Sequence, residues 1–247
     1  MPDNFPSTDL NDRFCALWVR CLQPGQMMDP IPVFNDLVSH YGEDSRTYHS
    51  WPHIMHCLRE FDRASALFEE PDAIELALWF HDSEYTAGAS DNEQRSADLF
   101  ARWAEPWFSS ALVKKVCDLI LITIHKRKPI NADESYVMDI DLSAFGLNWM
   151  DFMRDTRNVR KELSHIPDHI YYPSHTRFIT KLLNQRRIFH TNFFHSRYEK
   201  AARKNINRLL DDRSANRELF VRHYPMPKQK IKIPRKPAFK KQSTLVP

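Results

Sequence analysis

His81 and Asp82 stand side by side at the end of the apolar run 73–80. His49 and His53 lie upstream in Tyr48-His49-Ser50-Trp51-Pro52-His53, and Asp139 and Asp141 lie downstream in Met138-Asp139-Ile140-Asp141. Two imidazoles and two carboxylates on separate segments are what a divalent cation needs. Chance alone supplies a His-Asp dipeptide in 247 residues with 12 His, so spacing and setting have to make the case. Ser50 as an N-cap places Pro52 in the first turn of a helix, where its missing N–H costs little. His53 then starts that helix on the side of His56 and Cys57, and His49 sits about one turn away, just before the cap.

The run Ala73 to Phe80 is polar only at Glu75, which predicts a helix deep in the core. His81 and Asp82 emerge at its carboxyl end. Consecutive helical residues diverge by about 100 degrees, so both reach one ion only where the helix stops, and Thr86-Ala87-Gly88-Ala89-Ser90 supplies that stop. A buried Asp is costly unless a cation offsets its charge. Either Asp139 or Asp141 can add a fourth ligand. Imidazole and carboxylate together suit Mn, Fe, Co, Ni or Zn, and Mg less naturally. Such an ion keeps positions for water, whose pKa falls toward neutrality.

The elements that must position these groups read as helical. Phe14, Leu17, Trp18 and Cys21 fall at i, i+3, i+4 and i+7, as do Val113, Val116, Cys117 and Ile120, one buried stripe per helix. The pattern predicts helices over about 9–22, 31–41, 51–68, 72–82, 91–103, 109–125, 134–145, 148–164, 173–190 and 195–211. Ser50, Asp91 and Ser174 punctuate them as N-cap or first-turn signals. The expected organisation is a flexible N-terminus at 1–8, one all-α domain at 9–211, and a linker with a basic tail at 212–247.

Four glycines leave almost nothing from which to build phosphate-binding glycine loops, which disfavours P-loop and dinucleotide-binding folds. Cys15, Cys21, Cys57 and Cys117 form no CxxC pair, and a chain this long needs no disulfide staples, so reduced thiols are expected. No window approaches the roughly 18 apolar residues of a membrane span, and a cytoplasmic protein is expected. Residues 224–247 carry seven of the Lys and Arg residues, no acid and five prolines. That composition predicts a disordered basic tail able to make weak contact with a polyanion, although a solubilising terminus is the plainer reading.

The order H, HD, D on a helical scaffold resembles the HD superfamily of metal-dependent phosphohydrolases. Tyr48-His49-Ser50-Trp51-Pro52-His53-Ile54 is similar to the Tyr-His-Asn-x-x-His-Ile opening of the predicted HD phosphohydrolase branch. His81-Asp82-Ser83-Glu84-Tyr85, then Asp91-Asn92-Glu93 with Ser96-Ala97, resembles its next block. Ile122-Thr123-Ile124-His125 and Asp139-Ile140-Asp141-Leu142 with Gly146 continue the likeness. Val159-Arg160-Lys161-Glu162 and Ala202-Arg203-Lys204-Asn205-Ile206 look like its closing blocks. The resemblance covers about residues 40 to 211 and implies a single HD-type helical bundle.

By that resemblance His53, His81, Asp82 and Asp141 hold a divalent ion, with Asp141 favoured over Asp139 by its place relative to Leu142 and Gly146. His49 is the implied general acid, as in the related cyclic-nucleotide phosphodiesterases, and Asp82 and His125 join it as catalytic residues. His125 contacts a phosphate or a second metal, or simply closes a helix. Glu84, Asn92 and Glu93 orient ligands or line the pocket. Ser50 departs from the usual Asn, and Lys126-Arg127-Lys128 follows His125 where the branch often has a second His, which adds positive charge for an anionic substrate. The implied activity is hydrolysis of a phosphomonoester or phosphodiester, of a nucleotide in the first instance, by metal-activated water. A binding or regulatory module with little turnover, its tail on nucleic acid or a partner, is the alternative. A di-iron oxygenase is a third, with His125 and His56 as extra ligands.

Overall fold

The computed structural model describes the backbone of residues 8–223 and the side chains of residues 9–212. Within them the chain is all-α, with ten α-helices and no strand: α1 (Thr8–Arg20), α2 (Ile31–Tyr41), α3 (Trp51–Ala64), α4 (Pro71–Phe80), α5 (Asn92–Ala104), α6 (Ser110–Leu121), α7 (Ala132–Leu142), α8 (Trp149–Glu162), α9 (Asp168–Leu183) and α10 (Asn192–His223). Short 3-10 turns extend α3, α6 and α7 at Ser65–Leu67, Ile122–Ile124 and Ser143–Gly146. The described residues through Leu210 form one compact unit. Beyond it α10 continues as helix to His223. Residues 1–7 and 224–247, with most of the expected basic tail, lie outside the described residues.

α4 sits at the centre because every residue from Ala73 to Phe80 is apolar except Glu75, and all eight are buried. It packs against α3, α5, α6 and α7. Around it Phe14, Trp18, Trp79, Phe80, Phe100 and Phe108 are each at most 2% exposed, with Trp18 and Phe108 centroids 4.6 Å apart and Phe14 edge-on to Trp79 at 5.3 Å. Each such side chain stabilises the fold by about 1.5–3 kcal/mol relative to exposure. Glu75 is buried with them because Arg13 Nε donates to its Oε1 at 2.6 Å. An unpaired carboxylate there would be prohibitive.

Ser50 does occupy the N-cap position of α3, with extended backbone, but its hydroxyl does not accept a helical N–H; it lies 3.4 Å from the Tyr48 carbonyl. Asp91 likewise caps α5 by position alone. The helix expected to begin near Pro173-Ser174 starts earlier, at Asp168, with Pro173 inside it. Proline there forfeits one bond, to the His169 carbonyl, while Tyr171, Ile179 and Leu182 are buried along the helix. The apolar face outweighs the missing bond. The four cysteines are free, and no described helix is long and apolar enough to cross a membrane.

Candidate metal centre

Three helices meet at one place: the first turn of α3 brings His53, the residues just past α4 bring His81 and Asp82, and the last turn of α7 brings Asp141. His53 Nε2 is 3.1 Å from His81 Nε2. Asp82 Oδ2 lies 3.4 Å from the first nitrogen and 3.2 Å from the second, and Asp141 Oδ1 lies 3.4 and 3.7 Å from them. A tetrahedral ion with bonds of about 2.1 Å sets its donors roughly 3.4 Å apart. Cys57, one turn after His53, places Sγ 3.7 Å from His53 Nε2. The donor atoms of His53, Cys57 and His81, all buried, lie within 4.8 Å of one another and can hold a metal ion.

The hydrogen bonding suits a cation. His81 Nδ1–H donates to the Leu78 carbonyl at 3.0 Å, which leaves the Nε2 lone pair facing the other donors, the usual second contact of a metal-ligating imidazole. Burial opposes charge on His81, but Asp82 and Asp141 outweigh it and hold its pKa well above the ordinary value. His53 behaves alike: burial opposes charge, and Cys57, Tyr48, Asp141 and Asp82 overcome it. Burial would raise Asp82, yet His81, His49 and His53 keep it well below the carboxylate range. Asp141 is held low in the same way by His125, His53 and His81. Two imidazolium N–H groups head to head at 3.1 Å would repel. A divalent ion held by His53 and His81 would accept both Nε2 lone pairs instead.

Beside this cluster, His49 is held by Glu162 at the end of α8. Glu162 Oε1 accepts the Tyr48 and His49 N–H groups at 2.6 and 2.9 Å, and Oε2 accepts His49 Nδ1–H at 2.7 Å. Burial raises the Glu162 pKa, and the His49 contact with the two backbone donors more than reverses it. The His49 ring stacks on Tyr85 at 4.1 Å and lies 6.2 Å from the His53 ring. Its Nε2 is the atom left to exchange a proton.

His125 closes the turn after α6 in the left-handed region, φ 54°, and its Nε2–H donates to Asp141 Oδ2 at 2.8 Å. Its Nδ1 is buried without a hydrogen-bond partner. Arg127 is tied to Glu134 by two bonds of 2.6 and 2.7 Å, whereas Lys126 and Lys128 stay exposed.

Asp139 points elsewhere. Its carboxylate accepts the His190 and Thr191 N–H groups and the Thr191 hydroxyl, each at 2.7 Å, and burial pushes its pKa up to about 7. Glu84 lines a separate cavity with Asp36, His40 and Trp103. Asn92 pins the turn after Asp82, accepting from Thr86 N–H at 2.9 Å and donating to the Thr86 carbonyl at 3.1 Å. Glu93 is half-buried on α5. His56, on the helix that carries His53, is 2.7 Å from Ser143 Oγ, and burial with the charges of His53, Arg59 and Arg63 lowers its pKa to about 3. Nothing in the spacing of Glu162 marks it in the sequence as the partner of His49, whereas the i+4 spacing of Cys57 from His53 is visible there.

No protein-family model, curated protein or solved structure matches this chain. What the site does rests on its own atoms.

Proposed function

We propose that the protein is a metal-dependent phosphohydrolase of the HD type, acting on a phosphomonoester or phosphodiester, with nucleotides the first substrates to try. The observation that carries the reading is the convergence of His53, His81, Asp82 and Asp141 donor atoms at 3.1–3.7 Å beside a carboxylate-oriented histidine. A bound divalent ion supplies Lewis acidity and a coordinated water of lowered pKa. Mn, Fe, Co, Ni and Zn suit the donors better than Mg, and Cys57 shifts the balance further toward the softer ions.

Glu162 keeps the His49 Nδ1 proton in place, so proton traffic runs through Nε2. In the protonated ring that nitrogen delivers a proton to the departing ester oxygen. Tyr85 restricts the ring to one plane by stacking, which lowers the entropic cost of aligning it. Lys126 and Lys128, exposed next to His125, draw an anionic substrate toward the site.

The test is metal analysis together with turnover on a broad panel of phosphate esters, with Mn, Co, Ni and Mg, for wild type and His81→Ala. Turnover by metal-loaded wild type that is lost with metal in the variant supports the reading. Metal-loaded wild type that cleaves no ester on the panel overturns the phosphohydrolase, and protein that takes up no metal overturns the site.

A further inference from the structure

We infer that Arg46 is the positioning residue that holds the His81-Asp82 turn in its metal-binding shape and ties that turn to His49. This rests on the metal site proposed above but not on the phosphoester chemistry.

α4 stops at Phe80 inside the core, and a helix that ends in a buried place leaves carbonyls without partners. The Phe80 carbonyl takes Ser83 N–H at 2.9 Å and the Ser83 hydroxyl at 2.8 Å. The carbonyls of Asp82 and Ser83 are served from outside: Arg46 Nη1 donates to the first at 2.6 Å and Nη2 to the second at 2.9 Å. One rigid fork therefore fixes the peptide that follows Asp82 Cα. The direction in which the Asp82 carboxylate leaves the backbone is fixed with it.

The guanidinium is placed for this task. Its side chain is 1% exposed, a costly position for a charge without full pairing. Nε completes the set on Glu43 Oε2 at 3.2 Å, and the group lies 5.6 and 5.7 Å from the Tyr41 and Tyr85 ring centroids, within cation–π range. Tyr85 is the ring on which His49 stacks, and Arg46 stands three residues before His49 in the same loop. One cation thus spans the metal turn and the proton-bearing imidazole. Lysine cannot substitute, because a single ammonium lacks the planar fork that meets two successive carbonyls.

Charge and shape make opposite forecasts, which gives the test its edge. A cation near a metal site repels the incoming metal, so losing Arg46 as a mere charge would strengthen binding. As a positioning group its loss weakens binding. Zinc affinity is measured by calorimetry on chelator-stripped full-length wild type, Arg46→Lys and Arg46→Gln, with thermal unfolding and circular dichroism of each. Both folded variants are expected to bind zinc about 10–100-fold more weakly, the usual cost of losing a partner that orients ligands. Affinity within about threefold of wild type, or tighter binding by Arg46→Gln, overturns the inference. If neither variant folds, nuclear magnetic resonance of the wild type decides: zinc addition should shift the Arg46 Nε–H resonance, and an unmoved signal overturns the assignment. Wild type that binds no zinc, nor any other divalent ion, fails the metal site itself and takes this inference with it.

Discussion

Replacing Glu162 by Gln should cost stability and invert the tautomer of His49. In the wild type Oε1 accepts two backbone N–H groups, from Tyr48 and His49, and Oε2 faces His49 Nδ1 at 2.7 Å. A glutamine keeps its oxygen on the two amides, so its NH2 comes to lie against Nδ1. Two donors cannot share that contact, and the imidazole must move its proton to Nε2. The charge-assisted bond, worth about 1.5–3 kcal/mol, gives way to a neutral one worth about 0.5–1.5, a net loss of about 1 kcal/mol. For a chain of this size that is roughly 2–4 °C in Tm.

The pH dependence has a definite sign. The Glu162 pKa is depressed in the fold, so its stabilisation is fully present above the unfolded carboxylate value of about 4.3 and fades as pH falls through the lower folded value. The gap between wild type and Glu162→Gln should therefore hold steady from pH 7 to about 5 and close in stronger acid. Urea unfolding followed by fluorescence across that range measures it, and nitrogen-15 spectra of the His49 ring report the tautomer directly. Equal stability at pH 7, a gap that widens in acid, or an Nδ1–H ring in the variant refutes the account.

His56→Gln keeps a donor for Ser143 while removing a group whose pKa is about 3 in the fold. Between that value and the unfolded one near 6.5 the unfolded chain holds a proton the native state lacks, so wild-type stability declines as pH is lowered, by up to about 1.4 kcal/mol per unit. The variant should show a shallower acid limb in urea titrations, and an unchanged slope contradicts this. Asp139→Asn should lower Tm with metal affinity intact, whereas Asp141→Asn should abolish metal binding in a folded chain; parallel losses of affinity by calorimetry would erase the distinction. Gly146→Ala sets a new methyl 2.5 Å from Tyr198 Cβ, and overpacking of that kind costs about 1–3 kcal/mol, so a wild-type Tm in the variant is the contrary result. Lys126→Glu with Lys128→Glu should raise KM for phosphate esters several-fold with kcat little changed, and a salt-independent, unaltered KM counts against electrostatic attraction.

The burial of α4 was legible in the sequence, because a segment apolar on every face but that of Glu75 has only one place to go. α9 was not. Pro173 reads as a helix start, and only the burial of Tyr171, Ile179 and Leu182 reveals that packing outweighs one lost bond. The side chains that converge were legible by residue type, but telling Asp141 from Asp139 needs the direction each takes from α7. Two positions along a helix are about 200 degrees apart, so one carboxylate meets His53 and the other caps the loop at His190. Cys57 is legible from its i+4 spacing to His53.

What no spacing rule could give are Glu162 and Arg46, whose partners lie 113 and 36 residues away. Yet the need for them follows from the helices themselves. Chain segments that start or stop at a buried site bring backbone groups there that helical bonding leaves unserved. Glu162 serves the amides of Tyr48 and His49, Arg46 the carbonyls of Asp82 and Ser83, and Asp139 the amides of His190 and Thr191. Each is a charged side chain spending its hydrogen bonds on main chain, so each converts a loop into a fixed platform. An apolar replacement at any of the three would leave buried backbone groups unsatisfied, about 1–3 kcal/mol apiece, and at Glu162 or Arg46 it would loosen the site before it unfolded the protein. His49 and the His81-Asp82 turn are therefore only as well placed as Glu162 and Arg46 allow.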